Sequence, residues 1–224
     1  DYTDDSDLKG SSYFAMGYAL DASLKQYDDA LLAYQNAIQN TGNRIVQAQS
    51  YYRIGLIYDD RLNDDENSLN TYQKLVADYG DEDDGNIQSM VADAQLRKSD
   101  LLKKLGRLDE AIAEAVQALD VAKNNPSTPA AQRVSAQYNI GGLLFDKART
   151  LYSEEVGTDL APYIQAMRDS SQSFAAVETI AGDLAKLDSS LIPYVQNALF
   201  QSGQVSYSLG SASKNKSDLT NTID

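Results

Sequence analysis

Apolar residues recur along the chain at three- and four-residue intervals, the spacing that lines one face of an α-helix, and only four Pro interrupt 224 residues. This periodicity predicts helices near residues 10–25, 28–40, 44–61, 65–79, 87–105, 108–123, 128–152, 160–182 and 188–209. Asp28 and Asp109 stand just ahead of apolar runs, as N-caps do, while Gly42, Gly80 and Gly106 mark helix ends or turns. Pro126 and Pro129 bracket a turn in which Ser127 or Thr128 is the expected N-cap, and Pro162 and Pro193 suit the first turns of their helices.

The helices fall into pairs. Tyr13-Phe14-Ala15-Met16-Gly17 leads to Leu20, and then Tyr27-Asp28-Asp29-Ala30 leads to Tyr34 and Ala37. Tyr51-Tyr52-Arg53-Ile54-Gly55 leads to Tyr58, then Ser68, Tyr72 and Leu75. In both, the small residue of the second helix lies 13 positions after the glycine. A third unit has Gln95-Leu96-Arg97-Lys98-Ser99 and Leu102, then Gly106-Arg107-Leu108-Asp109-Glu110-Ala111, Ala115 and Ala118. A fourth starts at Tyr138-Asn139-Ile140-Gly141 and Leu144, and its second helix arrives late, with Ser170, Phe174 and Val177 in the matching places. A fifth opens at Leu199-Phe200-Gln201-Ser202-Gly203 and reaches Leu209-Gly210.

Small residues at fixed places have a packing reason. Gly or Ser at 17, 55, 99, 141 and 203 lacks bulk, and Ala30, Ser68, Ala111 and Ser170 do the same on the opposite helix, so ridges can enter grooves at close range. Glycine inside a helix costs about 0.8–1 kcal/mol against Ala. Its recurrence at one structural position implies a compensating contact. The expected core contains Ala30, Tyr34, Ile54, Tyr72, Leu102, Ala111, Ile140, Phe174 and Leu199.

These fragments resemble the tetratricopeptide repeat family across about residues 10–210, most clearly in Tyr51-Tyr52-Arg53-Ile54-Gly55-Leu56-Ile57-Tyr58 and Gly106-Arg107-Leu108-Asp109-Glu110-Ala111-Ile112-Ala113. Tyr replaces the family's Trp, and the small residues Ala30, Ser68 and Ala111 stand 38 and 43 positions apart, longer than a 34-residue repeat. The extra residues fall in turns, where solenoids accept them. The resemblance implies an all-α fold, a right-handed α-solenoid of antiparallel helix pairs. It makes residues 1–224 one array, with units near 10–42, 44–80, 87–125, 128–182 and a terminal partial unit 188–224. Residues 147–159 lengthen the fourth unit and carry the loop Glu154-Glu155-Val156-Gly157-Thr158.

Composition then removes most chemistry. Neither His nor Cys is present, so no Ser-His-Asp or Cys-His nucleophile, HExxH zinc site, thiolate metal site or disulfide can be built. With 19 Lys+Arg against 33 Asp+Glu the formal net charge is −14, which argues against nucleic acid and an anionic membrane surface. No apolar run approaches a membrane span. The abundance of Asp over Glu favours an extracytoplasmic (periplasmic or cell-envelope) location over the cytoplasm.

The acidic stretches Asp59-Asp60, Asp64-Asp65-Glu66 and Asp81-Glu82-Asp83-Asp84-Gly85 invite calcium, but an EF-hand frame on Gly85 puts Gly80 at the first ligand position and Val91 at the last. They read as solvated turns. Ser211-Ala212-Ser213-Lys214 spells a Ser-x-x-Lys motif without a companion, and Asn215-Lys216-Ser217 is a glycosylation sequon by spelling only. No catalytic residue, cofactor or metal site is assigned.

The resemblance implies that the first helix of each unit lines the inner, concave surface. Side chains one position after the core residue and one after the Gly point there: Phe14 and Tyr18, Tyr52 and Leu56, Leu96 and Asp100, Tyr138 and Gly142, Phe200 and Gln204. Arg53, Arg97, Asn139 and Gln201 add polar heads. The expected partner-binding set is Phe14, Tyr18, Tyr52, Arg53, Leu56, Arg97, Tyr138, Asn139 and Phe200, an aromatic floor with guanidinium and amide groups suited to a protein or peptide segment. The acidic turns favour partners with basic patches. The expected function is a non-enzymatic adaptor or scaffold that holds a partner segment in a groove. The alternative is an accessory domain of a larger cell-envelope assembly component or enzyme, to which the absence of an initial Met and the half-unit at the end also point.

Overall fold

The computed structural model describes residues 3–125, 128–154, 161–182 and 188–220. Among them every regular element is helical: α1 (Thr3–Ala19), α2 (Tyr27–Gln39), α3 (Arg44–Leu56), α4 (Asp65–Tyr79), α5 (Gly85–Lys104), α6 (Leu108–Asn124), α7 (Ala130–Glu154), α8 (Ala161–Ala181) and α9 (Ile192–Thr220). Single π-helical turns, Leu20–Leu24 and Ile57–Leu62, end α1 and α3. The expected helices are all present. Two are longer than the apolar pattern suggested: α1 starts at Thr3 and α9 runs to Thr220. Polar residues extend a helix without leaving any hydrophobic period to read.

Local chemistry sets the helix starts. Asn43 Oδ1 accepts from the amides of Ile45 (3.0 Å) and Val46 (3.3 Å) at the head of α3. Asp64 Oδ1 accepts from Asn67 N (3.1 Å) ahead of α4, and Asp84 Oδ1 from Asn86 N (2.9 Å) and Ile87 N (3.1 Å) around the start of α5. Asp28 and Asp109 are not caps. They lie in the first turns of α2 and α6, where a carboxylate still complements the helix dipole. Thr128 does not cap α7 either: it is buried, and its hydroxyl has no hydrogen-bond partner among the described residues. Pro126, Ser127 and the loop residues from Glu155 to Thr158 lie outside the described residues. So does the Lys214 side chain of the Ser-x-x-Lys motif, along with the side chains of Asn215 and Ser217.

The π turns explain an irregular spacing within the helix pairs. Ala111 follows Ser99 by 12 positions, one fewer than Gly17 to Ala30 or Gly55 to Ser68. After α5 the turn closes with Gly106 N donating to Lys103 O and Arg107 N to Leu102 O, both 2.9 Å. After α1 and α3 the closing bonds span one residue more, Gln26 N to Leu20 O (3.0 Å) and Asp64 N to Tyr58 O (2.8 Å). The inserted residue is absorbed by widening the last turn, and the next helix keeps its register. Each turn ends on a left-handed residue: Lys25 (φ 55°), Asn63 (φ 51°) and Gly106 (φ 73°).

The helices gather into two compact units, residues 1–101 with 124–127, and 102–123 with 128–224. The first holds an apolar cluster around Ala30, Leu31, Tyr34, Ile54 and Ile57 and another around Ala48, Tyr72, Leu75, Tyr79, Ile87 and Val91. The second is built on Val134, Met167, Phe174, Val177, Val195 and Val205. Of the expected core, Ala30, Tyr34, Ile54, Tyr72, Leu102, Ala111, Ile140 and Phe174 are buried. Leu199 is not; it is 44% exposed. Helix α9 turns Val195, Ala198 and Val205 into the core, and Leu199 belongs to another face that no described helix covers.

Candidate functional site

The glycines mark the tightest contacts in each unit. A Cβ built on Gly17 would lie 2.8 Å from the Tyr34 ring, on Gly55 2.3 Å from Tyr72, and on Gly141 2.7 Å from Phe174. In each case a second ring, three residues before the glycine, flanks the first: Phe14–Tyr34 at 5.5 Å between centroids, Tyr52–Tyr72 at 6.5 Å and Tyr138–Phe174 at 5.4 Å. Small residues sit four positions ahead of the inserted ring. The Ser68 hydroxyl donates to Gly55 O (3.4 Å) and that of Ser170 to Gly141 O (2.8 Å). This junction is why Phe14, Tyr52 and Tyr138 are half-buried.

In the first unit, the expected polar heads meet very different surroundings. Arg97, on α5, donates through Nε to Asp93 Oδ2 (3.0 Å) and through Nη1 to Asp59 Oδ2 (3.1 Å) and Asp60 Oδ1 (3.4 Å). Tyr52 Oη donates to the same Asp93 Oδ2 at 2.5 Å. Burial, with Asp93 beside it, pushes the Tyr52 hydroxyl far above its ordinary value. Burial alone would lower the Arg97 guanidinium, but the surrounding Tyr72, Asp93 and Tyr52 outweigh it and raise it. Arg97 is thus enclosed in an internal ion network.

Arg53 holds the corresponding place on α3, two residues before Gly55 as Arg97 is two before Ser99. Where Arg97 has Asp93 four residues earlier, Arg53 has Gln49. Its guanidinium stands 4.9 Å over the ring of Tyr18 and makes no ion pair among the described residues. Tyr18 is 48% exposed and Leu56 half-buried. The first-helix face of α1, α3 and α5 therefore presents a stacked Arg–Tyr pair beside a self-neutralised Arg–Asp network. In the second unit Tyr138 is wedged between Phe174 and Tyr194 (6.3 Å), Asn139 is half-buried, and Phe200 is 61% exposed.

The opposite side of the first unit holds a cavity of about 500 Å³ that the sequence reading did not single out. Tyr51, Ile54 and Tyr58 line it together with Gln35, Gln39, Asn67, Asn70 and Lys74. The amides at i, i+4 on α2 and i, i+3 on α4 were the available signal.

The acidic stretches are used locally. Asp59 and Asp60 hold Arg97, Asp64 and Asp84 cap helices, and Glu82 Oε1 accepts from Arg44 Nε at 2.7 Å. Among the described residues no group of three or more Asp or Glu is arranged to hold a metal ion. No described helix is long and apolar enough to cross a membrane.

Stacked helix pairs locked by a glycine and a ring define a repeat protein of the protein–protein interaction class. Residues 49–81 and 92–125 each match a family model for the tetratricopeptide repeat, so the chain carries repeats of this kind over those two stretches. No curated protein matches the chain. Repeats of this kind serve as protein–protein interaction modules and are generally non-catalytic scaffolds.

Proposed function

We propose that the protein is a non-enzymatic adaptor whose first-helix face on α1, α3 and α5 holds a segment of a protein partner. The observation that carries this reading is the Tyr18–Arg53 pair, an exposed ring under a guanidinium that makes no ion pair among the described residues. An aromatic ring contributes contact area at low entropic cost, and Arg forks onto backbone carbonyls or a carboxylate. Phe14 and Leu56 extend the apolar floor, while Tyr52 and Arg97 shape its wall through Asp93. Tyr138, Asn139 and Phe200 are the corresponding proposal for the second unit. A net charge of −14, with acidic turns at 59–66 and 81–84, favours partners carrying basic patches by speeding their approach.

The test is capture with the intact chain, identification of retained proteins by mass spectrometry, and titration of a purified partner. Joint replacement Tyr18→Ala and Arg53→Ala is expected to weaken binding by about 1–2 kcal/mol or more with an unchanged helical circular dichroism spectrum. Unaltered affinity in the folded double variant rejects this face as the site.

A further inference from the structure

The cavity beside α3 differs chemically from the rest of this acidic chain. Its walls are α2 and α4, and its floor is the stripe Tyr51, Ile54 and Tyr58 along α3 and the π turn that ends it. Although α2 and α4 begin on Asp28–Asp29 and Asp65–Glu66, no carboxylate is among the described residues that line the cavity. One cation is, Lys74, whose ammonium stands 5.4 Å from the centre of the Tyr51 ring. In a protein of net charge −14 this is a nearly neutral surface of primary amides, hydroxyls and rings.

Its hydrogen-bonding groups are only partly consumed by the fold. Asn67 Nδ2 donates to Asp64 Oδ2 and the Thr71 hydroxyl to Asn67 O, each at 2.7 Å. By contrast, the amides of Gln35 and Gln39 on one wall and of Asn70 on the other make no hydrogen bond among the described residues. Each offers a carbonyl acceptor beside two N–H donors. The floor beneath them is fixed. Tyr58 packs on the cluster around Tyr34, and Tyr51 on the cluster around Tyr72, with the Tyr79 ring 6.0 Å away. The volume, about 500 Å³, falls within the range of small-ligand sites.

We propose that this cavity binds a neutral saccharide. The hydroxyls of a sugar ring donate and accept at once, which matches primary amides on two walls, and its apolar C–H faces suit tyrosine rings. An uncharged ligand leaves no buried charge unpaired here, whereas an anion would meet one lysine in an acidic molecule and a cation would meet no carboxylate. Peptide modes match less well. Strand addition requires a sheet edge, and the regular elements among the described residues are helices. An amphipathic helix requires an apolar groove, and these walls are amides. The site lies opposite the Tyr18–Arg53 face and does not depend on it.

The test is a glycan array probed with the labelled intact chain, carrying neutral hexose and N-acetylhexosamine oligomers beside uronic-acid and sulfated ones. The neutral oligosaccharide retained best is then titrated by calorimetry. Saturable, salt-insensitive binding is expected, weakened about tenfold by joint Gln39→Ala and Asn70→Ala, which removes one amide from each wall. Both side chains are exposed, so this variant is expected to keep the fold, and circular dichroism checks it. The Tyr18→Ala, Arg53→Ala chain is expected to bind the sugar normally, which separates a failure here from a failure of the proposed adaptor face. Co-sedimentation with a polymer of the retained sugar assigns the ligand to a polysaccharide, and binding of the free oligosaccharide alone assigns it to a soluble sugar; either supports the site. Absence of neutral glycan binding, preference for the acidic glycans, or affinity that the double variant retains overturns the proposal. A proline-rich peptide that binds the chain while no glycan does, and is lost in the same variant, overturns it too by giving the cavity to an extended peptide.

Discussion

The Tyr72 ring lies where a side chain on Gly55 would have to be: a Cβ at that position would stand 2.3 Å from Tyr72 Cε1. The glycine is there for the ring, and the ring is fully buried because of the glycine. The helix-propensity cost of the glycine, about 1 kcal/mol, is offset by burying a Tyr side chain, a gain of a few kcal/mol. The same exchange at Gly17 and Gly141 makes it the unit of construction of the repeats.

Adjacent glycines on α7 separate this role from mere tolerance. A Cβ on Gly141 would press into Phe174 at 2.7 Å, while one on Gly142 would meet nothing within 4 Å. Gly141→Ala is expected to destabilise by about 1–3 kcal/mol through overpacking. Gly142→Ala is expected to stabilise by about 0.5–1 kcal/mol through helix propensity and a less flexible unfolded chain. Urea unfolding of the two variants should shift the midpoint in opposite directions.

Lys25 closes the π turn after α1 in the left-handed conformation, at φ 55°. A side chain there costs about 1–2 kcal/mol, which glycine avoids at some expense in unfolded-state entropy. Lys25→Gly is expected to raise stability by about 0.5–1 kcal/mol, whereas Lys25→Val should lower it. Thermal unfolding of both variants measures the difference.

The helix pairing was legible because the small residues and rings that make it are local and periodic: Gly55 and Tyr72 can be read from spacing alone. The junction's direction was legible too, but its completeness was not. Leu199 has the sequence signature of a core residue and is exposed, because burial there depends on a second helix rather than on α9 itself. The different fates of Arg53 and Arg97 were also hidden. They occupy equivalent places, and the distinction rests on Asp93 against Gln49 and on Asp59 and Asp60 reaching across from the π turn that ends α3. Long-range charge pairing leaves no period in a sequence.

Buried tyrosines make the fold sensitive to alkali. Burial raises the Tyr34 and Tyr79 hydroxyls from 10.0 to about 12, and Tyr72 still further. Above pH 10 the folded state retains protons that the unfolded chain releases, so their stabilising contribution is complete below that pH and declines as pH rises toward 12. Urea midpoints are expected to fall progressively from pH 10 upward. In absorbance titration, a subset of the 15 tyrosines should ionise only together with loss of helical signal. Ionisation of all tyrosines near pH 10 with the helices intact would contradict this burial.

Arg97 and Arg53 should separate stability from binding. Arg97→Ala leaves Asp93, Asp59 and Asp60 without the cation they share, and it leaves Tyr52 bonded to an otherwise uncompensated carboxylate. The group is about one-third exposed, so the expected cost is about 1–3 kcal/mol, less than for a fully buried pair. Adding Asp93→Asn should recover part of it, since one of the unpaired charges is then gone, and the double-mutant cycle measures that coupling. Arg53→Ala removes only a stacking contact with an exposed ring, expected to cost about 0.5–1 kcal/mol. For a partner held on this face the order reverses: Arg53→Ala lowers affinity in a chain of nearly unchanged stability. An Arg97→Ala chain with an unchanged urea midpoint would show that the Asp network does not hold α5 to the helices before it.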